Sequence, residues 1–341
     1  MTAMFEEVRD GFQAIRFDGQ ILNLLDQRRL PMDERWLTFT DVEAVAKAIS
    51  DLVVRGAPAI GITAAYGAVI AARARGRDTD GWLTDMVHLQ SARPTAVNLA
   101  WAISRMRSLV AGQGWPDAEL LAEEAFRIHR ADIEANRAMA SAGSALIEPG
   151  SGVLTHCNTG SLATGGIGTA LGVVIEAVRT GRVKRVYADE TRPWLQGSRL
   201  TAWELARAGV EFRVLVDGAA AALMASGQVQ WVVTGADRIA ANGDVANKIG
   251  TYGLAVLARH HGARMMVVAP STTLDPDMAS GQDIEIEQRD AAEIWSAAGM
   301  SSPPPGFSAW NPVFDVTPFD LIDRIVTERG AFRAPYDFSG G

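Results

Sequence analysis

The spacing of apolar residues changes once along this chain. Up to about residue 145 they recur at intervals of three and four, the period of a helix with one buried face. Beyond about residue 150 they gather into short runs separated by helical stretches. In the first part, Thr40-Asp41 is placed to cap a helix through VEAVAKAIS. A second helix follows Pro58, a third follows Pro94 through TAVNLAWAISRM, and a long one runs from about Pro116 to Ser144. FQAIRF, QILNLL and RWLTF, between residues 11 and 39, read as short strands.

The second part alternates. GVLTH (152–156), KRVYA (184–188), FRVLV (212–216), QWVVT (230–234) and MMVVA (265–269) read as strands, with helices near 166–180, 198–208, 218–226 and 247–261. Such alternation predicts an α/β fold with a parallel sheet covered on both faces. The polar and Gly-rich pieces CNTGS, DETRP, DGA, GADR and PST all follow strands. Ligands of such sheets bind beyond the carboxyl ends of the strands, so these loops are where a site is expected. The change of rhythm divides the chain into domains at 1–145 and 146–341.

Composition narrows the possibilities. The 341 residues are 48% hydrophobic, enough for a large core, and carry a net charge of -8 from 40 acidic and 32 basic residues. With no basic tail or block, nucleic acid is not an expected partner. The start, MTAMFEEVRD, carries acids where a signal peptide needs basic and then apolar residues. The longest uncharged run, Ala57 to Ala72, is shorter than the roughly 20 residues of a membrane span and reads as a buried helix. One cysteine forms no internal disulfide, which fits a reducing cytoplasm. SSPPPG at 301–306 reads as a rigid loop.

Candidate chemistry centres on LTHCNTGSLATGGIG (154–168), which holds Cys157. The dinucleotide fingerprint fails here, because Leu171 stands where a third glycine is required after Gly166 and Gly168. The P-loop fails as well, since no lysine follows Gly165-Gly166. A helix expected to begin near Gly166 would still offer backbone N–H groups to an anion, or the glycines only permit a tight turn. A lone cysteine is usually buried and inert, but a strand end before a helix is also where a thiol becomes reactive. Metal binding is not supported: there is no second cysteine, His88 and His129 are isolated, and His260-His261 are adjacent. Asp237 in TGADRI and Asp189 in ADETRP also sit at expected strand ends, where an acid either caps a turn or does chemistry. Arg55 precedes Gly56 and Pro58 and Arg93 stands just before Pro94, each at a helix start; lone arginines are usually solvated, but two at the mouths of apolar helices are placed to clamp a phosphate. Lys248, beside Asn247, is expected to open a further helix.

Taken together, VVRGAPAIGITAAYG, RPTAVNLAWA, THCNTGSLATGGIGTALG, ADETRPWLQGSRLTAWEL, TGADRIAANGDVANKIGTYGLA and NPVFDVTP resemble the methylthioribose-1-phosphate isomerase family of methionine salvage. Its wider superfamily includes translation-initiation exchange-factor regulatory subunits and ribose-1,5-bisphosphate isomerases. The motifs run in order from about 50 to 318. The resemblance implies a mostly helical N-terminal domain with a few short strands, a Rossmann-like C-terminal domain, a cytoplasmic homodimer and no cofactor or metal. It implies that Cys157 and Asp237 are catalytic, and that Arg55, Gly56, Ala57, Arg93, Gln196, Asn247 and Lys248 bind a small sugar phosphate.

The implied reaction turns 5-methylthioribose 1-phosphate into 5-methylthioribulose 1-phosphate. Phosphate on the anomeric oxygen prevents spontaneous ring opening, so an acid must assist cleavage at the ring oxygen. Asp237 is expected in that role, in a partly apolar site, with Cys157 taking the C2 proton or stabilising charge at C1 and C2. Two other readings stand beside this one: a ribose-1,5-bisphosphate isomerase, and a non-catalytic sugar-phosphate-binding subunit. An apolar wall at C5, for which Trp101, Trp194 and methionines are available, would favour the methylthio or a 5-deoxy sugar.

Overall fold

The computed structural model describes residues 12–94, 96–296, 299–300 and 305–338. The start MTAMFEEVRD and most of SSPPPG lie outside the described residues. By internal contacts the chain forms two compact units. One holds the described residues up to Asn136 together with Gly160–Gly168; the other holds Arg137–Thr159 and the chain from Thr169. The division falls inside a helix. The glycine loop leaves the unit of the strand that precedes it.

The first unit opens with β1 (Ile15–Phe17), β2 (Leu22–Leu25) and β3 (Trp36–Phe39), an antiparallel meander in which Leu24 pairs with both Ile15 and Leu37. Helices α1 (Val42–Ser50), α2 (Ala57–Arg75), α3 (Thr79–Ser91), α4 (Val97–Gln113) and α5 (Ala118–Ala145) follow. Asp41 caps α1, its side chain accepting the Ala44 N–H at 2.7 Å. The centre of the unit is α2, apolar on every side and buried from Ala59 to Ala72. It runs on past the uncharged stretch to Arg75, so by length and composition alone it could cross a membrane; here it is a core helix. α3 was not anticipated, although its signal is present. Trp82, Met86 and Leu89 share one face and are fully buried, and Asp78 caps the start by accepting the Gly81 N–H at 3.0 Å. The polar residues and glycine between these anchors hide the period.

The second unit is built on a sheet of seven strands: β4 (Ser151–Thr155), β5 (Val183–Asp189), β6 (Phe212–Leu215), β7 (Trp231–Thr234), β10 (Arg264–Val268), β13 (Arg324–Thr327) and β14 (Gly330–Phe332). Their spatial order is β14-β13-β10-β7-β4-β5-β6, and every neighbouring pair is parallel except β13 with β14. Leaving out the antiparallel edge strand, this is the doubly wound order in which the first and fourth strands lie side by side. The continuous apolar character of VLT in β4 and WVVT in β7 follows from burial on both faces. The covering helices are α6 (Ala170–Arg179), α7 (Ala202–Arg207), α8 (Ala220–Ala225) and α9 (Thr251–His261), with a short α10 (Ala292–Ser296) beyond. A second sheet was not anticipated: β8 (Arg238–Ala240), β9 (Val245–Lys248), β11 (Leu274–Asp275) and β12 (Phe314–Thr317), in the order β11-β8-β9-β12. Its strands are too short to carry a recognisable alternation.

Candidate active site

Connections from β4 lead to β5 and β6 on one side, and those from β7 lead to β10 and β13 on the other. The loops diverge, and a crevice opens at the carboxyl ends of β4 and β7. Cys157 follows the end of β4 at Thr155, and Asp237 follows the end of β7 at Thr234. The two strands are direct neighbours, with Thr155 paired to Val233. Asp189 is the last residue of β5, the next strand over. The three residues therefore meet at one end of one sheet.

Cys157 is buried and adopts a left-handed backbone, φ 63°. For a residue other than glycine this costs on the order of 1 kcal/mol or more and persists only where neighbours enforce it. Two threonines do so: Cys157 N–H donates to Thr191 Oγ1 at 2.8 Å, and Thr201 Oγ1 donates to the Cys157 carbonyl at 2.6 Å. Both come from the loop after β5. Asp217, in the loop after β6, fastens that loop by accepting the Thr191 and Arg192 N–H groups, each at 2.7 Å. Gln196 lies in the same loop, buried, just before a π-helical turn over Gly197–Thr201, and its Oε1 has no hydrogen-bond partner among the described residues. Unpaired buried oxygens are rare and point to a ligand or a solvent partner.

The glycine loop does not form the anion cradle that the sequence suggests. α6 begins at Ala170, not near Gly166. The loop amides are largely spent: Gly165 N–H donates to Asp132 Oδ2 at 2.7 Å, Gly166 N–H to Thr164 Oγ1 at 3.2 Å, and Thr169 N–H to the Thr159 carbonyl at 2.8 Å. The chain turns on its own hydroxyls and carbonyls.

Asn247 and Lys248 do not open a helix; they end strand β9, and α9 starts at Thr251. The reason is pairing: β9 runs antiparallel to β8 and to β12, with Asn247 opposite Asp315 and Lys248 opposite Phe314. This hairpin leaves the crevice directly after Asp237, whose N–H donates to the Ala246 carbonyl at 2.9 Å. Lys248 is buried; its Nζ donates to the Val313 carbonyl at 2.8 Å and lies 4.4 Å from the centre of the Phe314 ring. Asn247 Nδ2 donates to Thr251 Oγ1 at 2.8 Å. Asp315, from the NPVFDVTP motif, accepts the Gly250 and Tyr252 N–H groups at 2.8 and 3.1 Å and so caps α9 from outside it.

The remaining expected binding residues belong to the first unit. Arg55 and Gly56 precede α2, and Ala57 is its first residue. Gly56 is required: its φ is +92°, and a Cβ there would lie 2.5 Å from Ala163 Cβ. Arg93 stands between α3 and α4. The first turns of α2 and α4 touch, since a Cβ on Gly61 would lie 2.8 Å from the Asn98 carbonyl. Both arginines are half-buried and precede neighbouring helix N-termini, where the dipole adds to their positive field.

Each unit also holds a buried histidine. His129 Nε2 donates to the Gly165 carbonyl at 2.9 Å and its Nδ1 accepts from Tyr66 Oη at 2.8 Å. Burial pushes the ring down to about 4, only partly offset by the carbonyl. His156 Nδ1 lies 3.0 Å from Asp189 Oδ2, and Nε2 lies 2.8 Å from the Ile249 carbonyl. Burial pulls this ring down as well, but the Asp189 carboxylate and the carbonyl outweigh it and hold it above the ordinary histidine value. Burial also holds Asp189 above the usual carboxylate range, against the pull of His156. His156, Asp189 and Asp217 bring ligand-type atoms within 4.8 Å of one another. Both His156 nitrogens and both Asp217 oxygens already have protein partners, so the cluster is a hydrogen-bond network. Sequence reasoning missed His156, Thr191 and Thr201. The only signal for the first was its place beside Cys157, and the threonines gave none.

Comparison with known proteins places the chain in a family. The Initiation factor 2 subunit family matches residues 53–334. A methylthioribose-1-phosphate isomerase from Thioalkalivibrio sulfidiphilus is 57% identical over 330 residues, covering 96% of this chain and 95% of that protein. The crystal structure of 5-methylthioribose 1-phosphate isomerase from Pyrococcus horikoshii superposes with a TM-score of 0.88 at 40% identity, covering 97% of this chain and 95% of that one. A structure described as translation initiation factor eIF-2B, subunit delta, from A. fulgidus gives 0.83 at 39% identity, covering 96% and 97%. This chain belongs to the Initiation factor 2 subunit family and, within it, to the methylthioribose-1-phosphate isomerases.

Proposed function

We propose that this protein isomerises 5-methylthio-α-D-ribose 1-phosphate to 5-methylthio-D-ribulose 1-phosphate, a step of methionine salvage. The observation that carries this reading is the convergence of Cys157 and Asp237 after the two strands that flank the crevice, in a chain 57% identical to a named isomerase along nearly its whole length. Asp237 is half-buried beside the β8–β9 hairpin and protonates the ring oxygen as the bond to C1 breaks. The C2 hydrogen then leaves, the C2 hydroxyl loses its proton as the carbonyl forms, and a hydrogen arrives at C1. Cys157 takes the C2 proton or stabilises the charge at C1 and C2, and Asp237 shuttles a proton. Arg55, Arg93 and Lys248 supply positive charge for the phosphate, while Gln196 and Asn247 bind hydroxyls.

The protein works as a cytoplasmic homodimer in this reading, and also accepts 5-deoxyribose 1-phosphate. Purified protein given the methylthio, 5-deoxy and 5-phospho sugar 1-phosphates side by side tests the specificity; preference for the bisphosphate would replace the first reading. A non-catalytic sugar-phosphate-binding subunit is the second reading, favoured by the likeness to the protein described as an initiation factor subunit. Tight binding with no turnover of any of the three would select it. Light scattering on a sizing column tests the dimer.

A further inference from the structure

His156 has no part in the mechanism above, yet both its ring nitrogens are engaged at the carboxyl ends of the strands. The Ile249 carbonyl can only accept, so Nε2 carries a hydrogen, and one proton between Nδ1 and Asp189 Oδ2 makes the second bond. The ring thus joins three pieces of backbone: the end of β4, the end of β5 and the turn between β9 and α9. Cys157 is the residue after His156, and Lys248 is the residue before Ile249. The turn is shaped around the ring, because Gly250 has φ +107° and a Cβ there would lie 2.9 Å from His156 Cε1. The charges facing the pair are Asp217 from the loop after β6, Glu190 beside Asp189, and Asp315 on β12, which itself faces Lys248. Asp189 Oδ1 is buried with no hydrogen-bond partner among the described residues.

We propose that His156 and Asp189 are a positioning pair for the isomerisation: the imidazole, bonded through both nitrogens, fixes the segment presenting Cys157 against the turn presenting Lys248. This rests on the assignment of Cys157 and Lys248 under the proposed function. Neither member of the pair touches substrate.

The test uses Asp189→Asn, which keeps shape and loses charge, and His156→Gln, which keeps a donor for Ile249 and loses the carboxylate partner. Each should lower kcat about 10–100-fold, as loss of a group that orients a reacting side chain does, with KM moving less than about threefold. Cys157 is the only cysteine, so its alkylation by iodoacetamide, followed by mass spectrometry against pH, reports on it alone. The midpoint should shift in both variants, whereas a merely structural role would lower the melting temperature and leave the midpoint in place. In the unaltered protein, nitrogen NMR of the His156 ring should show Nε2 protonated and Nδ1 hydrogen-bonded at neutral pH; a ring exchanging freely between tautomers would overturn the pair even if the variants failed to fold. Normal kcat and an unmoved midpoint in folded variants would overturn it while Cys157→Ser remains inactive. A fully active Cys157→Ser would instead overturn the reading beneath it.

Discussion

His129 in the helical unit and His156 in the sheet unit are both almost completely buried, yet their affinities for a proton are moved in opposite directions. Burial opposes charge in both. The helical unit offers His129 a hydroxyl and a carbonyl, and the ring falls below the ordinary histidine value; the sheet unit offers His156 a carboxylate and a carbonyl, and the ring is held above it. The units themselves differ too. The first surrounds an apolar helix and pairs its buried acids Asp26 and Glu124 with partly exposed arginines. The second collects charged and strained groups at the ends of its strands, where its chemistry is placed.

The largest expected effect tests that placement. Asp237→Asn and Cys157→Ser should each cost roughly 10²–10⁴ in kcat, the usual value of one acid–base group. The double variant should be little worse than either, since groups acting in one proton sequence are not additive. Near-normal turnover by folded Asp237→Asn would move the acid elsewhere, with Asp189 the first place to look. Thermal melts provide the folding control.

Next come the histidines themselves. A ring lowered from 6.5 to about 4 contributes stability that is present above the ordinary value and is lost as pH falls through this interval. The advantage of the parent over His129→Gln should therefore shrink by roughly 3 kcal/mol between neutral pH and pH about 4. His156 works in the other direction: its contribution is present below the ordinary value and is lost as pH rises through its raised one. Urea unfolding against pH measures both, and a parallel response of the two variants would erase the contrast.

Arg93→Ala should raise KM or Kd by one to two decades, from a charge-assisted bond of about 1.5–3 kcal/mol, and lower kcat less. Unchanged affinity would remove the helical unit's arginine from binding. The smallest effect is local: Asp41→Ala should cost about 1 kcal/mol at the start of α1 and leave turnover alone, as melting curves and initial rates can show.

Elements whose order is written in neighbouring residues were legible without coordinates. α1 occupies the predicted VEAVAKAIS with its cap, and the five strands read in the second half are β4, β5, β6, β7 and β10 to within a residue or two. The placement of Cys157, Asp189 and Asp237 at strand ends followed from the same runs. What sequence alone did not determine depends on partners far along the chain. β9 is a strand because β8 and β12 flank it, so Lys248 ends a strand where helix was expected. The glycine loop spends its amides on Asp132 and Thr159 instead of an anion. Cys157 takes its strained backbone from Thr191 and Thr201, 34 and 44 residues away, and His156 is held above its ordinary value by Asp189, 33 residues away. Local periodicity records which face of an element is buried; it carries no record of which side chain the fold will bring against it, and at these positions that neighbour decides the chemistry.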